Sequence, residues 1–119
     1  MPTRDDSRER TSLLQGTLDL LILRTLLFGR RHGQSIARSI QRQSEDVFLV
    51  DHGSLYLALQ RLEERGWVDA KWGVSDNNRR ARFYKLTAKG RSRLTDKTSE
   101  WKRISAAMAR ILSAGESEA

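Results

Sequence analysis

Cysteine is absent from the 119-residue chain, which excludes disulfide bridges and thiolate metal sites. A reducing cytoplasm is the compartment such a composition suits. Histidine occurs only at His32 and His52, with no spaced carboxylate cluster around either, so neither a structural zinc site nor any other cofactor is expected. Long apolar runs are missing too: the stretch around Leu20 to Phe28 is broken by Arg24 and is too short to span a bilayer. The first ten residues mix acids with bases and lack the apolar core of a signal peptide. A cytoplasmic chain without membrane attachment is expected. Catalytic motifs are equally scarce. Asp51, His52 and Ser54 are the residue types of a hydrolytic triad, but side chains this close at a helix start diverge around the axis. No nucleophile elbow or phosphate loop occurs elsewhere, so the chain is not expected to be an enzyme.

Cations are abundant: 22 Lys plus Arg against 15 Asp plus Glu give a formal charge of +7. Seven of them fall between Arg79 and Arg93, where there is no acid. Such an excess favours a polyanionic partner, because cations that neutralise phosphates release condensed counterions. A chain of this length, 38% hydrophobic, supports one compact domain, and any long helix with a spare apolar stripe should meet a second subunit.

Along the chain the apolar spacing changes period several times. Leucines crowd several faces from Thr11 to Phe28, predicting a helix covered on more than one side and ended by Gly29. Arg30 to Gly33 read as a connector. Ile36, Ala37 and Ile40 give the second helix, Gln34 to Gln43, a narrow stripe. Val47 to Val50 predicts a short strand. Asp51 stands at the N-cap of a third helix whose Leu55, Leu59 and Leu62 form a buried seam, with Gly66 just past its end. Two strands, Trp67 to Trp72 and Arg82 to Leu86, flank a turn-rich stretch and predict a β-hairpin. Thr87 then caps a final helix reaching about Leu112.

The expected class is therefore mainly α with a small β-hairpin wing: a winged helix-turn-helix plus a long C-terminal dimerisation helix. Its expected divisions are a disordered arm over residues 1–10, the winged domain over 11–86, the dimerisation helix over 87–113 and a disordered tail over 114–119. In this arrangement the third helix enters a major groove and the hairpin reaches the flanking backbone or minor groove. The candidate DNA contacts are Gln34, His52, Gly53, Ser54, Tyr56, Gln60 and Arg61 on the helices, with Arg79, Arg80 and Arg82 on the hairpin. In the last helix Leu94, Trp101, Ile104, Met108 and Ile111 keep the spacing of an a/d seam, interrupted by Lys97. They are expected to dimerise against leucines of the first helix, Leu14 and Leu18.

The segments GSLYLALQRLEERGWV (Gly53 to Val68) and RRARFYKLTAKGRSRL (Arg79 to Leu94) closely resemble the signature of PadR-like transcriptional regulators. The run from Leu13 to Ile40 is similar to the opening two helices of that family, in its short form with one helix after the wing. The resemblance implies a homodimeric repressor that binds an inverted-repeat operator in double-stranded DNA and responds to a small ligand. In multidrug-sensing relatives a tryptophan fifteen residues beyond the Leu of the Leu-Thr pair stacks on flat aromatic compounds at the dimer interface. Leu86 and Trp101 keep that interval, which makes Trp101 the candidate site for a small aromatic effector. The competing reading is a constitutive DNA-binding or protein-interaction module with no effector.

Overall fold

The computed structural model describes residues 16–118. The arm over residues 1–10 and Leu14 therefore lie outside the described residues. The first helix, α1, covers residues 16–26 and buries Ile22, Leu23 and Leu26, with Leu18, Leu20, Leu21 and Leu27 half-buried around them. Its wide apolar arc is thus shared between the core and a less covered flank.

A two-residue strand, β1 (Arg31–His32), follows where the sequence predicts only a connector. It pairs antiparallel with a hairpin strand some fifty residues later, Arg31 opposite Tyr84 and His32 opposite Phe83. The strand expected at Val47 to Val50 does not form. Its alternation is genuine, since Phe48 and Val50 lean on the core while Val47 and Leu49 are exposed. A strand needs a partner for its backbone groups, and this segment has none: the sheet consists of β1 and the two hairpin strands.

Helix α2 (Gly33–Gln43) is capped by His32, whose Nδ1 accepts the Ser35 N–H at 3.2 Å. It buries Ile36, Ala37, Ser39 and Ile40. Helix α3 (His52–Glu64) begins at Asp51, which accepts the Ser54 N–H at 3.0 Å, and buries Leu55, Ala58, Leu59 and Leu62. It ends in a Schellman arrangement: the N–H of Trp67 donates to the Leu62 carbonyl at 2.9 Å and that of Gly66 to Glu63 at 3.0 Å. Gly66 sits at φ 75°, a conformation costly for any residue with a Cβ.

The wing consists of β2 (Val68–Val74) and β3 (Arg80–Leu86), in a sheet of order β1-β3-β2. Val68 opposite Leu86 and Ala70 opposite Tyr84 point into the core, while Trp72 opposite Arg82 continues the same face beyond it. Burial pushes the Tyr84 phenol above its ordinary range, against the nearby Arg82 charge that lowers it.

Helix α4 (Ala88–Glu118) starts at Thr87, whose hydroxyl donates to the Gly66 carbonyl at 2.7 Å and accepts the Gly90 N–H at 3.0 Å. Arg93 and Lys97 lie over the Trp67 ring at 5.6 and 5.5 Å. Leu94, only 6% exposed, closes the domain's own core and does not belong to an open seam. Past it α4 leaves the domain and runs on to Glu118, beyond the predicted end. The Cα radius of gyration of 16.6 Å reflects that projection, since a compact chain of this size would give roughly 13 to 14 Å.

Candidate nucleic-acid interface

The buried seam of α3 decides what the helix shows to solvent. At 3.6 residues per turn, burial of Leu55, Ala58, Leu59 and Leu62 turns Gly53, Leu57, Gln60 and Glu64 outward. Tyr56 and Glu63 fall on the flank facing the wing, and Ser54 and Arg61 on the flank facing α1. That rotation divides the expected contacts into two groups.

The first group converges. An open cleft of about 880 Å³ lies between the helices and the wing, lined by Gln34 and Arg38 of α2, Tyr56, Gln60, Glu63 and Glu64 of α3, and Trp72, Arg79, Arg80 and Arg82 of the hairpin. Tyr56 crosses the start of α2 so closely that a Cβ at Gly33 would stand 3.0 Å from its ring and hydroxyl. Gly33 thus makes room for the phenol at the mouth of the cleft. Arg79 closes the hairpin turn, its carbonyl accepting the Ser75 N–H at 2.8 Å. Asn78 supplies the left-handed residue of that turn at φ 61°.

The second group stays apart. His52, Gly53 and Ser54 are exposed at the N-terminus of α3 but do not line the cleft. The Ser54 hydroxyl donates to the Asp51 carboxylate at 3.1 Å, so its proton is already engaged in the cap. The Ser54 N–H and hydroxyl hold the Asp51 carboxyl below its ordinary value, which favours the ionised form that caps the helix. Arg61 is turned away altogether: its guanidinium pairs at 2.9 Å with the nearly buried Asp19 of α1. It ties α3 to α1 instead of meeting a ligand. Arg82 is likewise engaged, donating to Glu63 at 3.0 Å.

Several cleft residues escape the sequence reading, four of them charged or aromatic groups that change its character. Arg38 adds a cation from α2, while Glu63 and Glu64 place carboxylates in a cleft expected to be basic. Trp72 carries Arg80 over its ring at 4.9 Å. Strand alternation from Val68 and Ala70 puts Trp72 on their face of the strand, and the hairpin register sets Arg82 opposite it. The pairing of Glu63 with a residue 19 positions away left no local signal.

On α4 the side chains of Trp101, Ile104, Met108 and Ile111 form an exposed stripe, with Leu112 beside them. A smaller cleft of about 220 Å³ separates the first turns of α1 from α4, bounded by Gly16, Thr17, Leu20, Lys97, Glu100, Trp101 and Ile104. Leu18 is half-buried against its own core. Among the described residues no helix is long and apolar enough to cross a membrane, and no cluster of His, Cys, Asp or Glu could hold a metal ion.

Winged order, exposed third helix and cationic hairpin together define a winged helix-turn-helix regulator. The model of the transcriptional regulator PadR-like family matches residues 22–96, and the chain belongs to that family, whose members are not enzymes. An uncharacterized protein X of Lysinibacillus sphaericus is 32% identical over 96 residues, which are 80% of this chain and 87% of the relative. A PadR family transcription regulator from Clostridium difficile shares 30% identity at a TM-score of 0.68, over 80% of this chain and 97% of its own. A transcriptional regulator from Clostridium thermocellum shares the fold at a TM-score of 0.75 and 24% identity, over 83% of this chain and 96% of its own.

Proposed function

We propose that the protein is a homodimeric repressor that grips an inverted-repeat operator in duplex DNA. Each subunit lays the outward face of α3 in a major groove and sets its wing on the flanking backbone or minor groove. The observation that carries this reading is the convergence of Gln34, Tyr56, Gln60, Arg79 and Arg80 on one open cleft, beside the exposed α3 start at His52, Gly53 and Ser54. The Gln60 amide has the donor and acceptor pair that matches an adenine edge, and the Tyr56 hydroxyl and Gln34 amide suit phosphate oxygens. Arg82 acts through the wing's position, because its Nη2 is held by Glu63. A dimer bound over a promoter obstructs polymerase, and the place of action is the cytoplasm.

Binding measured against salt tests the duplex reading. A duplex binder loses log K with log salt at a slope of about 0.9 for each phosphate neutralised. Replacing Arg79 and Arg80 together by alanine is expected to flatten that slope by up to about 3.6 in a dimer, at all sequences alike. Salt-independent association would instead favour a protein-interaction module.

The second copy is expected along Trp101, Ile104, Met108 and Ile111, joined by Leu18 of α1 and by Leu14, which lies outside the described residues, with Leu94 supporting the helix from inside. The cleft beside Trp101 is smaller than the roughly 300 Å³ at which ligand pockets begin. A second subunit would complete it around a small flat aromatic effector whose binding releases the operator. Titrating planar aromatics is expected to quench the wild-type tryptophan fluorescence and leave Trp101→Phe unchanged. Equal responses of the two proteins, or none, would leave a constitutive DNA binder.

A further inference from the structure

Trp72 is 60% exposed on β2, in a hairpin whose core-facing positions are already filled by Val68, Ala70, Tyr84 and Leu86. Folding gains little from an indole left largely in water. Its surroundings are specific, however. The Arg80 guanidinium lies over the ring at 4.9 Å and that of Arg82, its cross-strand partner, at 6.0 Å. Arg82 in turn donates to Glu63 of α3 at 3.0 Å. A continuous chain of contacts thus runs from the groove-facing helix, through Glu63, Arg82 and Trp72, to the Arg80 guanidinium at the start of β3.

An arginine free on a hairpin surrenders rotamer freedom when it is immobilised against a partner. A guanidinium stacked on an aromatic face has surrendered part of it already, and its planar edge still presents N–H donors outward. We propose that Trp72 is a positioning residue for the wing, holding Arg80 at a set reach from α3 before the duplex arrives, with the Glu63–Arg82 pair as its anchor. The proposal rests on the duplex-binding reading above. It assigns Trp72 no contact of its own with the nucleic acid.

The test uses the full chain and one duplex of roughly 30 base pairs, long enough for two half-sites a helical turn apart, taken as the most enriched by the wild type from a random library. Trp72→Leu keeps apolar bulk on the strand but removes the π face. It is expected to bind about fivefold to tenfold more weakly, by the sum of a lost cation–π contact and a newly ordered side chain. Its salt slope should be unchanged, because the Arg80 charge is still present. Trp72→Phe is expected to recover most of the affinity. In an Arg80→Ala background, Trp72→Leu should cost almost nothing further, since its only route is through that arginine. Thermal melts of the variants, expected to coincide with wild type, separate these effects from loss of the wing. Wild-type affinity in Trp72→Leu overturns the proposal and leaves the duplex reading standing. A full additional loss in the Arg80→Ala background overturns it by making Trp72 a direct contact. Failure of the wild type to enrich any duplex overturns both.

Discussion

Replacing Ile104 and Met108 together by aspartate is expected to convert the proposed dimer into monomers and to weaken binding to the proposed operator by a hundredfold or more. Both side chains lie on the stretch of α4 that has left the domain, 49% and 56% exposed. Burying an Ile or Met is worth about 1.5 to 3 kcal/mol, so a two-fold interface loses that twice over at each position and gains four carboxylates in an apolar strip. The loss in DNA affinity follows because a second tethered half-site commonly multiplies affinity by about 10² to 10⁴. Sedimentation velocity reads the first effect and a binding isotherm the second. The core, closed by Leu94, is untouched, so the winged domain should still melt cooperatively. Part of the helical signal should be lost, because an unpartnered helix in water is marginal without tertiary packing. An unchanged sedimentation coefficient would place the subunit contact elsewhere.

Gly90→Ala is the second large effect, and it acts on folding. A Cβ built there would stand 2.0 Å from the Trp67 carbonyl oxygen and 2.8 Å from Leu86 Cδ1. The obstacle is backbone, so no rotamer change relieves it. The α4 start must lift from the wing, and the Gly90 N–H bond to Thr87 and the packing of Leu94 go with it. Overpacking of this kind costs about 1 to 3 kcal/mol and sometimes more, and a rigid carbonyl at this distance belongs at the top of that range. A melting temperature roughly 10 °C below wild type is expected. Gly16→Ala, with nothing within 4 Å of the added methyl, is the control and should be neutral or slightly stabilising. A melt of Gly90→Ala within a degree of wild type would mean that α4 docks differently.

What the sequence makes legible is what its local chemistry determines. The seam of Leu55, Leu59 and Leu62, the caps at Asp51 and Thr87 and the reversal at Gly66 depend on residues close to one another along the chain, and all are found in place. What is not legible depends on distant partners. Arg31–His32 is a strand because β3 pairs with it from some fifty residues away, and Val47 to Val50 is not one because no strand pairs with it. Arg61 reads as an exposed cation until the fold brings Asp19 beside it from 42 residues away. Leu94 keeps the seam's spacing, yet it lies where α4 is still covered by its own domain. The charge run itself was plain. Its division into guanidinium groups that are free, stacked or paired depends on the tertiary fold.

Hydroxyl-radical footprinting of the wild-type protein on its selected duplex tests the central claim most directly. Two equivalent protected patches related by a dyad, with centres about 34 to 36 Å apart along the axis, are the expected result. One unsymmetrical patch, or a duplex cut evenly along its length, would contradict it.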